Sequence, residues 1–265
     1  QRLTLKYAEA NKKSISKTKT TPVFAEKSST HNIAFTHKEN VFDDFNRERL
    51  LPHKLSNLGP HISKGDVNGD GLEDFFIGAA ANSAGALFVQ DKNGKFQNQS
   101  NVTWETDKIH EDMESVFFDA EGDGDLDLYV VSGGNASSAN STNYQDRLYL
   151  NDGAGNFAFY QEVFDEFSNF NSRDFEVFDF DNDGDLDLFL QPFGSIEYPI
   201  NFSNYIYENN NGTFEKYRND FVYDEEYVDM YMLKFMVREG NPHFIGIEEA
   251  PAGQLKFYEF KLDLN

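Results

Sequence analysis

Three short, mainly apolar runs recur along the chain, and each directly follows an acidic stretch. The runs are FFIG at 75–78, LYVV at 128–131 and LFLQ at 188–191. A short apolar run that is bounded by turn residues indicates a buried strand and is too short for a helix of three turns. The pattern therefore predicts one buried strand after each acidic stretch.

A second pattern lies downstream of each run, namely a strand that ends in a tight turn. It reads LFVQDKNGKF at 87–96, LYLNDGAGNF at 148–157 and IYENNNGTF at 206–214. Asn and Gly tolerate the positive φ angles that hairpin turns often require. Each segment is therefore predicted to form a β-hairpin.

The two patterns together form an internal repeat, which opens at Asp66, Asp119 and Asp179. Each copy reads as strand, acidic loop, strand, variable excursion, strand, hairpin turn and strand. Four strands in this order are the content of a propeller blade. We therefore predict an all-β fold, a β-propeller of four-stranded blades. About four blades are present, so the ring is either small or part of a larger one.

The repeat also predicts how the chain is divided. Residues 1–30 are interpreted as an N-terminal strand and linker, the tail of a preceding domain, and loops with one or two strands are expected between 23 and 60. The propeller region is expected at 31–265, with acidic-loop blades near 62–115, 116–175 and 176–220 and a degenerate blade at 221–265. The last blade has lost its acidic residues, so no metal site is predicted there.

The three acidic loops have the chemistry of calcium sites. They read DVNGDGLED at 66–74, DAEGDGDLD at 119–127 and DFDNDGDLD at 179–187, with oxygen-bearing side chains at positions 1, 3, 5 and 9 and Gly at position 6. Calcium takes about six to eight hard oxygen ligands, and Gly permits the sharp turn between them. Carboxylates this crowded repel one another unless a cation neutralises them.

Three Ca2+ sites are therefore predicted. The predicted side-chain ligands are Asp66, Asn68, Asp70 and Asp74 in the first loop, Asp119, Glu121, Asp123 and Asp127 in the second, and Asp179, Asp181, Asp183 and Asp187 in the third. The carbonyls of Leu72, Asp125 and Asp185 are predicted to fill position 7. An EF-hand begins in the same way but needs Glu at position 12 and flanking helices. Position 12 is Ile77, Val130 or Leu190 here, which excludes that motif.

Charge and composition exclude several classes of function. The formal net charge is −23, which argues against nucleic acid as a partner because phosphate binding needs clustered cations. The chain has no Cys, so neither disulfides nor thiolate metal sites can form. No apolar run is long enough to span a membrane. The first residue, Gln1, is not followed by a charged and apolar leader, which predicts a mature or excised segment.

Other candidate sites in the sequence are less specific. The six His lack the spacing of a metal site, and GxSxG is absent. The acidic pairs at 111–114 and 224–226, which include Glu111 and Asp112, are expected to be solvated and not to act in glycoside cleavage. Aromatic residues near the excursions are expected mostly to pack in the core: Trp104, Tyr144, Phe193, Tyr198 and Phe202. No catalytic residue and no organic cofactor are predicted.

Residues 62–265, with these Asp-rich loops, resemble the FG-GAP or VCBS repeat proteins, whose propeller blades carry an Asp-x-Asp-x-Asp-Gly-x-x-Asp calcium loop similar to that of integrin α-subunits. The stretch HKENVFDDFNRERLLPHKLSNLGP at 37–60 resembles the lead-in to these repeats in large bacterial envelope proteins. There an ASPIC/UnbV domain often neighbours the repeats, and RLTLKY at 2–7 resembles its last strand.

The resemblance implies a calcium-binding, non-catalytic module for binding or scaffolding at the outer surface of a bacterium, with a glycan or a cell-surface protein as partner. The excursions at 78–86, 132–147 and 191–205 are the predicted recognition face, since loops on a rigid scaffold usually carry binding. Two alternatives stay open: a polysaccharide lyase, which would need basic residues such as Arg147 and Arg173 to grip uronates, and an accessory subunit of a glycan-uptake complex.

Overall fold

The computed structural model describes most of the chain between residues 24 and 261. The described residues are 24–47, 49, 54, 56–99, 102–138, 141–160, 172–192, 205–216, 230–238, 241–250 and 254–261. Their regular structure is almost entirely antiparallel β-sheet, so the predicted all-β fold is confirmed.

The described strands form four consecutive sheets. The first holds β1 (Ile62–Gly65), β2 (Asp74–Ile77), β3 (Ala86–Gln90) and β4 (Phe96–Gln99). The second holds β5 (Asp112–Phe118), β6 (Asp127–Ser132), β7 (Arg147–Asn151) and β8 (Phe157–Phe159). The third holds β9 (Ser172–Phe178), β10 (Asp187–Pro192), β11 (Tyr205–Asn210) and β12 (Thr213–Lys216). The fourth holds β13 (Met230–Arg238), β14 (Asn241–Ala250) and β15 (Gln254–Lys261).

Within each sheet the strands lie in sequence order, and each pairs antiparallel with the next. The acidic loop joins the first strand to the second, and the tight turn joins the third to the fourth. In the first sheet, for example, Gly65 pairs with Asp74 across the acidic loop. This is the strand order of a propeller blade, as the repeat predicts. In the fourth sheet, Arg238 at the end of β13 pairs with Asn241 at the start of β14, at the place where the other sheets have an acidic loop.

The first three sheets pack face to face through two apolar clusters. Sheets one and two share a cluster built around Phe76, Trp104 and Tyr149. Sheets two and three share a cluster built around Tyr129, Phe175 and Tyr207. Because successive side chains of a strand point to opposite faces, the central strand β6 supplies both clusters in alternation.

All six residues of β6 are buried, which follows from its position between two neighbouring sheets. Leu128 and Val130 pack toward the first sheet, and Tyr129 and Val131 pack toward the third. The run LYVV is therefore continuously apolar rather than alternating, as expected for a strand that is covered on both faces.

The chain before β1 differs from its prediction. The expected one or two strands are not found in the described part of 24–60, which holds a 3-10 helix (Ser28–His31) and a short helix α1 (Asp44–Arg47). Polar side chains connect this part internally and to the second excursion. The buried Asp44, for instance, accepts hydrogen bonds from Ser56 N–H (3.1 Å) and from Asn135 Nδ2 (3.1 Å) of the second excursion. The predicted strand at 1–7 lies outside the described residues.

Two further short helices lie between strands: α2 (Val102–Thr106) and a 3-10 helix (Thr142–Tyr144). Of the helices in the described part of the chain, none has the length and apolar character that crossing a membrane requires.

Candidate metal centre

The first carboxylate of each acidic loop folds the loop around itself. Asp66 accepts hydrogen bonds from the backbone N–H groups of Asp70 (3.1 Å) and Gly71 (2.7 Å). Asp119 and Asp179 accept the same two bonds from positions 5 and 6 of their loops, at 3.0–3.2 Å. The three loops therefore share one turn, and the carboxylate oxygens face its inside.

The turn requires left-handed backbone at positions 4 and 6. At position 6 the residue is always Gly, with φ of 84°, 95° and 106° in the three loops. Position 4 is Gly in the first two loops and Asn182 in the third, where φ is 65°. Asn is one of the few residues besides Gly that adopts this conformation readily, so the loop sequence matches its backbone.

The last carboxylate of each loop is fully buried at the first residue of the second strand. These residues are Asp74, Asp127 and Asp187. One oxygen accepts the N–H of position 2 of the loop, at 3.1, 2.8 and 2.7 Å. The other accepts an N–H at the end of the third strand, at 2.8 Å in each sheet. Position 9 thus joins the loop to the sheet in addition to its predicted role as a metal ligand.

In the third loop, three of the predicted ligands converge. Carboxylate oxygens of Asp179, Asp181 and Asp187 all lie within 4.8 Å of one another, close enough to hold one metal ion. No other group of at least three His or acidic side chains converges in this way among the described residues. Asp183, the predicted ligand at position 5, instead accepts a hydrogen bond from the N–H of Asp185 (2.9 Å).

The first loop has the same arrangement as the third, with an amide oxygen in place of one carboxylate. Asn68 Oδ1 accepts the N–H of Asp70 at 3.1 Å, as Asp181 accepts the N–H of Asp183 at 3.1 Å. The second loop differs because Glu121 is one methylene longer, and there Asp119 also takes the N–H of position 4 at 2.8 Å. The first loop therefore offers one carboxylate fewer, and the second holds position 3 differently.

Burial and crowding disfavour the charged form of these carboxylates. Burial raises the pKa of Asp127 to about 7 and that of Asp187 to about 6, and neighbouring carboxylates in each loop add to the increase. Burial, followed by nearby negative charge, also raises the pKa values of Glu121 and Asp181. A cation among these groups would favour their charged forms, since opposite charge lowers the pKa of a carboxyl.

An amide side chain at the end of each third strand supports the loop from outside. Gln90, Asn151 and Asn209 each donate a hydrogen bond to the carbonyl of position 8 in the loop of their own sheet, at 2.9, 3.1 and 3.0 Å. The hairpin pattern predicts only turn formers here. The recurrence of an amide at one place in three repeats is the signal that could identify them.

At the opposite end of the first two sheets lies a buried ion pair. Asp112, which begins β5, contacts the guanidinium of Arg147, which begins β7, and both side chains are less than a tenth exposed. Arg147 also donates to Ser132 Oγ (3.3 Å) and to Tyr149 Oη (3.2 Å). Asp112 accepts the N–H of Ala79 in the first excursion at 2.8 Å. All three guanidinium nitrogens of Arg147 are therefore engaged within the protein.

The prediction that Glu111 and Asp112 are solvated is wrong, since they are only 5% and 6% exposed. They lie where β5 meets the first excursion, and Glu111 accepts the N–H of Ala81 at 2.9 Å. Burial raises the pKa of Glu111 to about 7, and the nearby carboxylates of Glu39 and Asp112 add to the increase.

Glu111 should make the stability of the protein depend on pH. Its folded-state pKa of about 7 lies above its ordinary 4.5, so the folded protein holds this proton more tightly than the unfolded chain. The stability it contributes is fully present below about pH 4.5 and is lost as pH rises to about 7, by about 3 kcal/mol in total. Glu111→Gln should reduce the loss of stability between pH 5 and pH 8, as measured by urea unfolding, while Asp127 and Asp187, whose pKa values are also raised, keep their own contributions.

As a control, Glu105→Gln removes an exposed carboxyl and should leave the pH dependence of the wild type in place. If Glu111→Gln gave the same loss of stability between pH 5 and pH 8 as the wild type, Glu111 would not be the titrating group.

The aromatic candidates that can be placed belong to the core. Trp104 is 4% exposed and packs against Phe76 and Tyr149, with ring centroids 5.2 and 4.8 Å apart. Tyr144 is 5% exposed and donates to the carbonyl of Ser137 at 2.7 Å. The expectation that most of these aromatics pack internally is confirmed for both. Phe193, Tyr198 and Phe202 lie outside the described residues.

Comparisons with known proteins identify the repeat. No curated protein matches the chain. Among solved structures, a thermostable family-43 glycoside hydrolase matches with 12% sequence identity and a TM-score of 0.39, covering 80% of this chain and 76% of that chain. The FG-GAP-like repeat matches twice, over residues 66–130 and 119–190, and these segments include all three acidic loops. The chain therefore contains FG-GAP-like repeats, folded as β-propeller blades.

Proposed function

We propose that this chain is a calcium-binding, non-catalytic propeller module for extracellular binding or scaffolding. The observation that carries the proposal is the recurrence of one hydrogen-bonded acidic turn in three successive sheets, with three carboxylates converged in the third. FG-GAP-like repeats cover all three turns, and such repeats commonly bind calcium and are typical of extracellular proteins.

The residues of the loops fit calcium by their chemistry. Every predicted ligand is an oxygen, and the chain has no Cys to favour a softer metal. In the third loop Asp179, Asp181 and Asp187 would hold the ion, with Asp183 and the carbonyl of Asp185 as further ligands. The bound ion would supply the positive charge that these crowded carboxylates lack. Its role here is structural, because it would rigidify the turns between strands.

Calcium should raise the thermal stability of the chelator-treated protein. A ligand that binds only the native state stabilises it by RT ln(1 + [L]/Kd), about 2.7 kcal/mol per site at 100 times Kd. The measurement is a melting curve in chelator and then in millimolar calcium. An unchanged midpoint at millimolar calcium would overturn the proposal.

A variant with Asn in place of Asp70, Asp123 and Asp183 is the matched control. These position-5 side chains are exposed, so the chelated variant should melt close to the wild type while losing most of its response to calcium. Loss of stability in chelator as well would mean that the variant disturbs the fold rather than the ion site.

We place the recognition face for a glycan or cell-surface protein on the excursions at 78–86, 132–147 and 191–205. The described parts of the first two lie at the end of the sheets opposite the acidic loops. They are held by buried bonds, as between Asp112 and Ala79. The lead-in adds to this face, since Arg47 donates to the carbonyl of Asn135 at 3.0 Å. Most of the third excursion lies outside the described residues. The resemblance of 37–60 to bacterial envelope proteins supports a bacterial cell surface as the location.

The alternative of a polysaccharide lyase has less support. Its predicted cationic residue Arg147 is buried and engaged with Asp112, so it is not available to grip a uronate. Incubation with acidic polysaccharides should therefore produce no unsaturated ends, as followed by ultraviolet absorbance. Turnover in this assay would contradict a non-catalytic role, whereas binding without turnover would fit it and the accessory-subunit alternative alike.

A further inference from the structure

A single buried asparagine hydrogen-bonds the acidic loops of two neighbouring sheets. Asn151 Nδ2 donates to the carbonyl of Val67, position 2 of the first loop, at 2.8 Å, and to the carbonyl of Leu126, position 8 of the second loop, at 3.1 Å. Asn151 is 6% exposed. Its amide therefore spans the boundary between the first and second sheets.

Asn209 repeats this arrangement one sheet further along. Its Nδ2 donates to the carbonyl of Ala120, position 2 of the second loop, at 2.9 Å, and to the carbonyl of Leu186, position 8 of the third loop, at 3.0 Å. It is 1% exposed. Because the same pair of hydrogen bonds occurs at two sheet boundaries, the bridge is a repeated feature of the fold and not a chance contact.

The oxygen of the same amide holds the hairpin turn against the loops. Asn151 Oδ1 accepts the N–H of Gly155 at 3.0 Å, and Asn209 Oδ1 accepts the N–H of Gly212 at 2.9 Å. The turn itself lies on the preceding loop, since a Cβ built at Gly212 would stand 3.0 Å from the Cβ of Glu121. Donors and acceptor of each amide are thus all engaged.

The backbone of position 2 is held on both sides, by the last carboxylate of its own loop and by the asparagine of the next sheet. In the first loop, Val67 N–H donates to the buried Asp74 and Val67 C=O accepts from Asn151. In the second loop, Ala120 N–H donates to Asp127 and Ala120 C=O accepts from Asn209. A change at position 8 of one loop therefore reaches the last carboxylate of the preceding loop through the shared amide and the backbone of position 2.

We propose that Asn151 and Asn209 are positioning residues that couple neighbouring calcium loops, so that calcium bound in one loop raises the affinity of the adjacent one. The inference rests on the proposed calcium binding and adds to it that neighbouring loops bind calcium cooperatively. An ion that orders position 8 of one loop fixes the shared amide. The fixed amide holds position 2 of the preceding loop, which then has less freedom left to lose on binding.

The test is a calcium titration resolved by site, with the backbone N–H signals of Gly71, Gly124 and Gly184 as NMR reporters of the three loops. Asn151→Ala should weaken calcium binding most in the first and second loops, by about tenfold, and less in the third, which it reaches only through the second loop and Asn209. Asn209→Ala should weaken the second and third loops most and the first least. Each variant is the control for the other.

Coupling itself is tested by disabling one loop. Asp123→Asn, in the second loop, should lower the calcium affinity of the first loop in the wild type but not in the Asn151→Ala background. The inference is overturned if Asn151→Ala weakens only the second loop, or weakens all three loops equally. It is also overturned if Asp123→Asn has no effect on the first loop of the wild type.

Two further measurements separate this inference from the proposed function. If the wild type binds no calcium, the proposed function fails, and hydrogen exchange in chelator decides whether the bridge exists. Asn151→Ala should then speed hydrogen exchange of the Gly71 N–H severalfold and leave that of the Gly184 N–H unchanged. If the Gly71 N–H exchanged at the same rate in Asn151→Ala and in the wild type, the bridge would be refuted. Asn151→Asp, which keeps the acceptor for the turn and removes both donors, serves the same comparison if the Ala variant does not fold.

Discussion

Replacing Arg147 with Met should lower the free energy of unfolding by about 3–5 kcal/mol. The substitution leaves the carboxylate of Asp112 buried at 6% exposure, with the N–H of Ala79 as a remaining donor. Desolvating an unpaired charge costs far more than a Met side chain of similar length recovers by packing. Chemical denaturation of the wild type and of Arg147→Met measures the difference.

The double variant Asp112→Asn with Arg147→Met isolates the cause. It removes the buried charge together with its partner, so it should recover a large part of the lost stability. Lys64→Met breaks an exposed pair, in which Lys64 Nζ lies 2.7 Å from Glu73, and should change stability little. If Arg147→Met and Lys64→Met lowered the free energy of unfolding equally, burial of the ion pair would not be the cause of the loss.

Asp127→Ala should lower the free energy of unfolding by about 3–5 kcal/mol when calcium is present. The carboxylate is fully buried and accepts the N–H groups of Ala120 and Asn151, both at 2.8 Å. Each of these N–H groups, once left without an acceptor, costs about 1–3 kcal/mol. The variant also removes a predicted calcium ligand. Urea unfolding at pH 7.5 in calcium measures the sum.

The same variant should lose less stability in chelator at pH 7.5. Burial raises the pKa of Asp127 to about 7, so without a cation the charged carboxylate already opposes folding at this pH. Asp123→Ala is the matched control, because this exposed side chain of the same loop is a predicted ligand without buried backbone partners. If the two variants lost the same stability in calcium, the buried hydrogen bonds of Asp127 would contribute nothing.

The features that the sequence predicts well are local ones. The loop from Asp66 to Asp74 and the strand that follows it lie within one stretch of chain, and their apolar and turn residues determine both. The hairpin at Gly94 is similar, since its positive φ of 70° falls on a Gly that the pattern places in a turn. Repetition strengthens these predictions, because three copies of one pattern constrain a single unit of structure.

The features that the sequence does not predict depend on residues far apart in the chain. The bond from Asn151 to Val67 joins positions 84 residues apart, and no local pattern contains it. The burial of Glu111 depends on how β5 meets the first excursion, which is set by the packing of whole sheets. Ordinary hydropathy places both acidic residues and amides at the surface, and these are the groups that a folded core buries only with partners.

The alternating side chains of β6 affect how such a chain can gain repeats by duplication. Leu128 and Tyr129, which are neighbours in the chain, belong to different cores, so the second sheet has no side that is adapted to water. A duplicated copy of that unit could be inserted beside it and find a matching apolar surface on either flank, so that neither apolar face would be left exposed. Units at the ends of an array must instead present one polar side, so gain and loss of repeats is expected to be easiest in the interior.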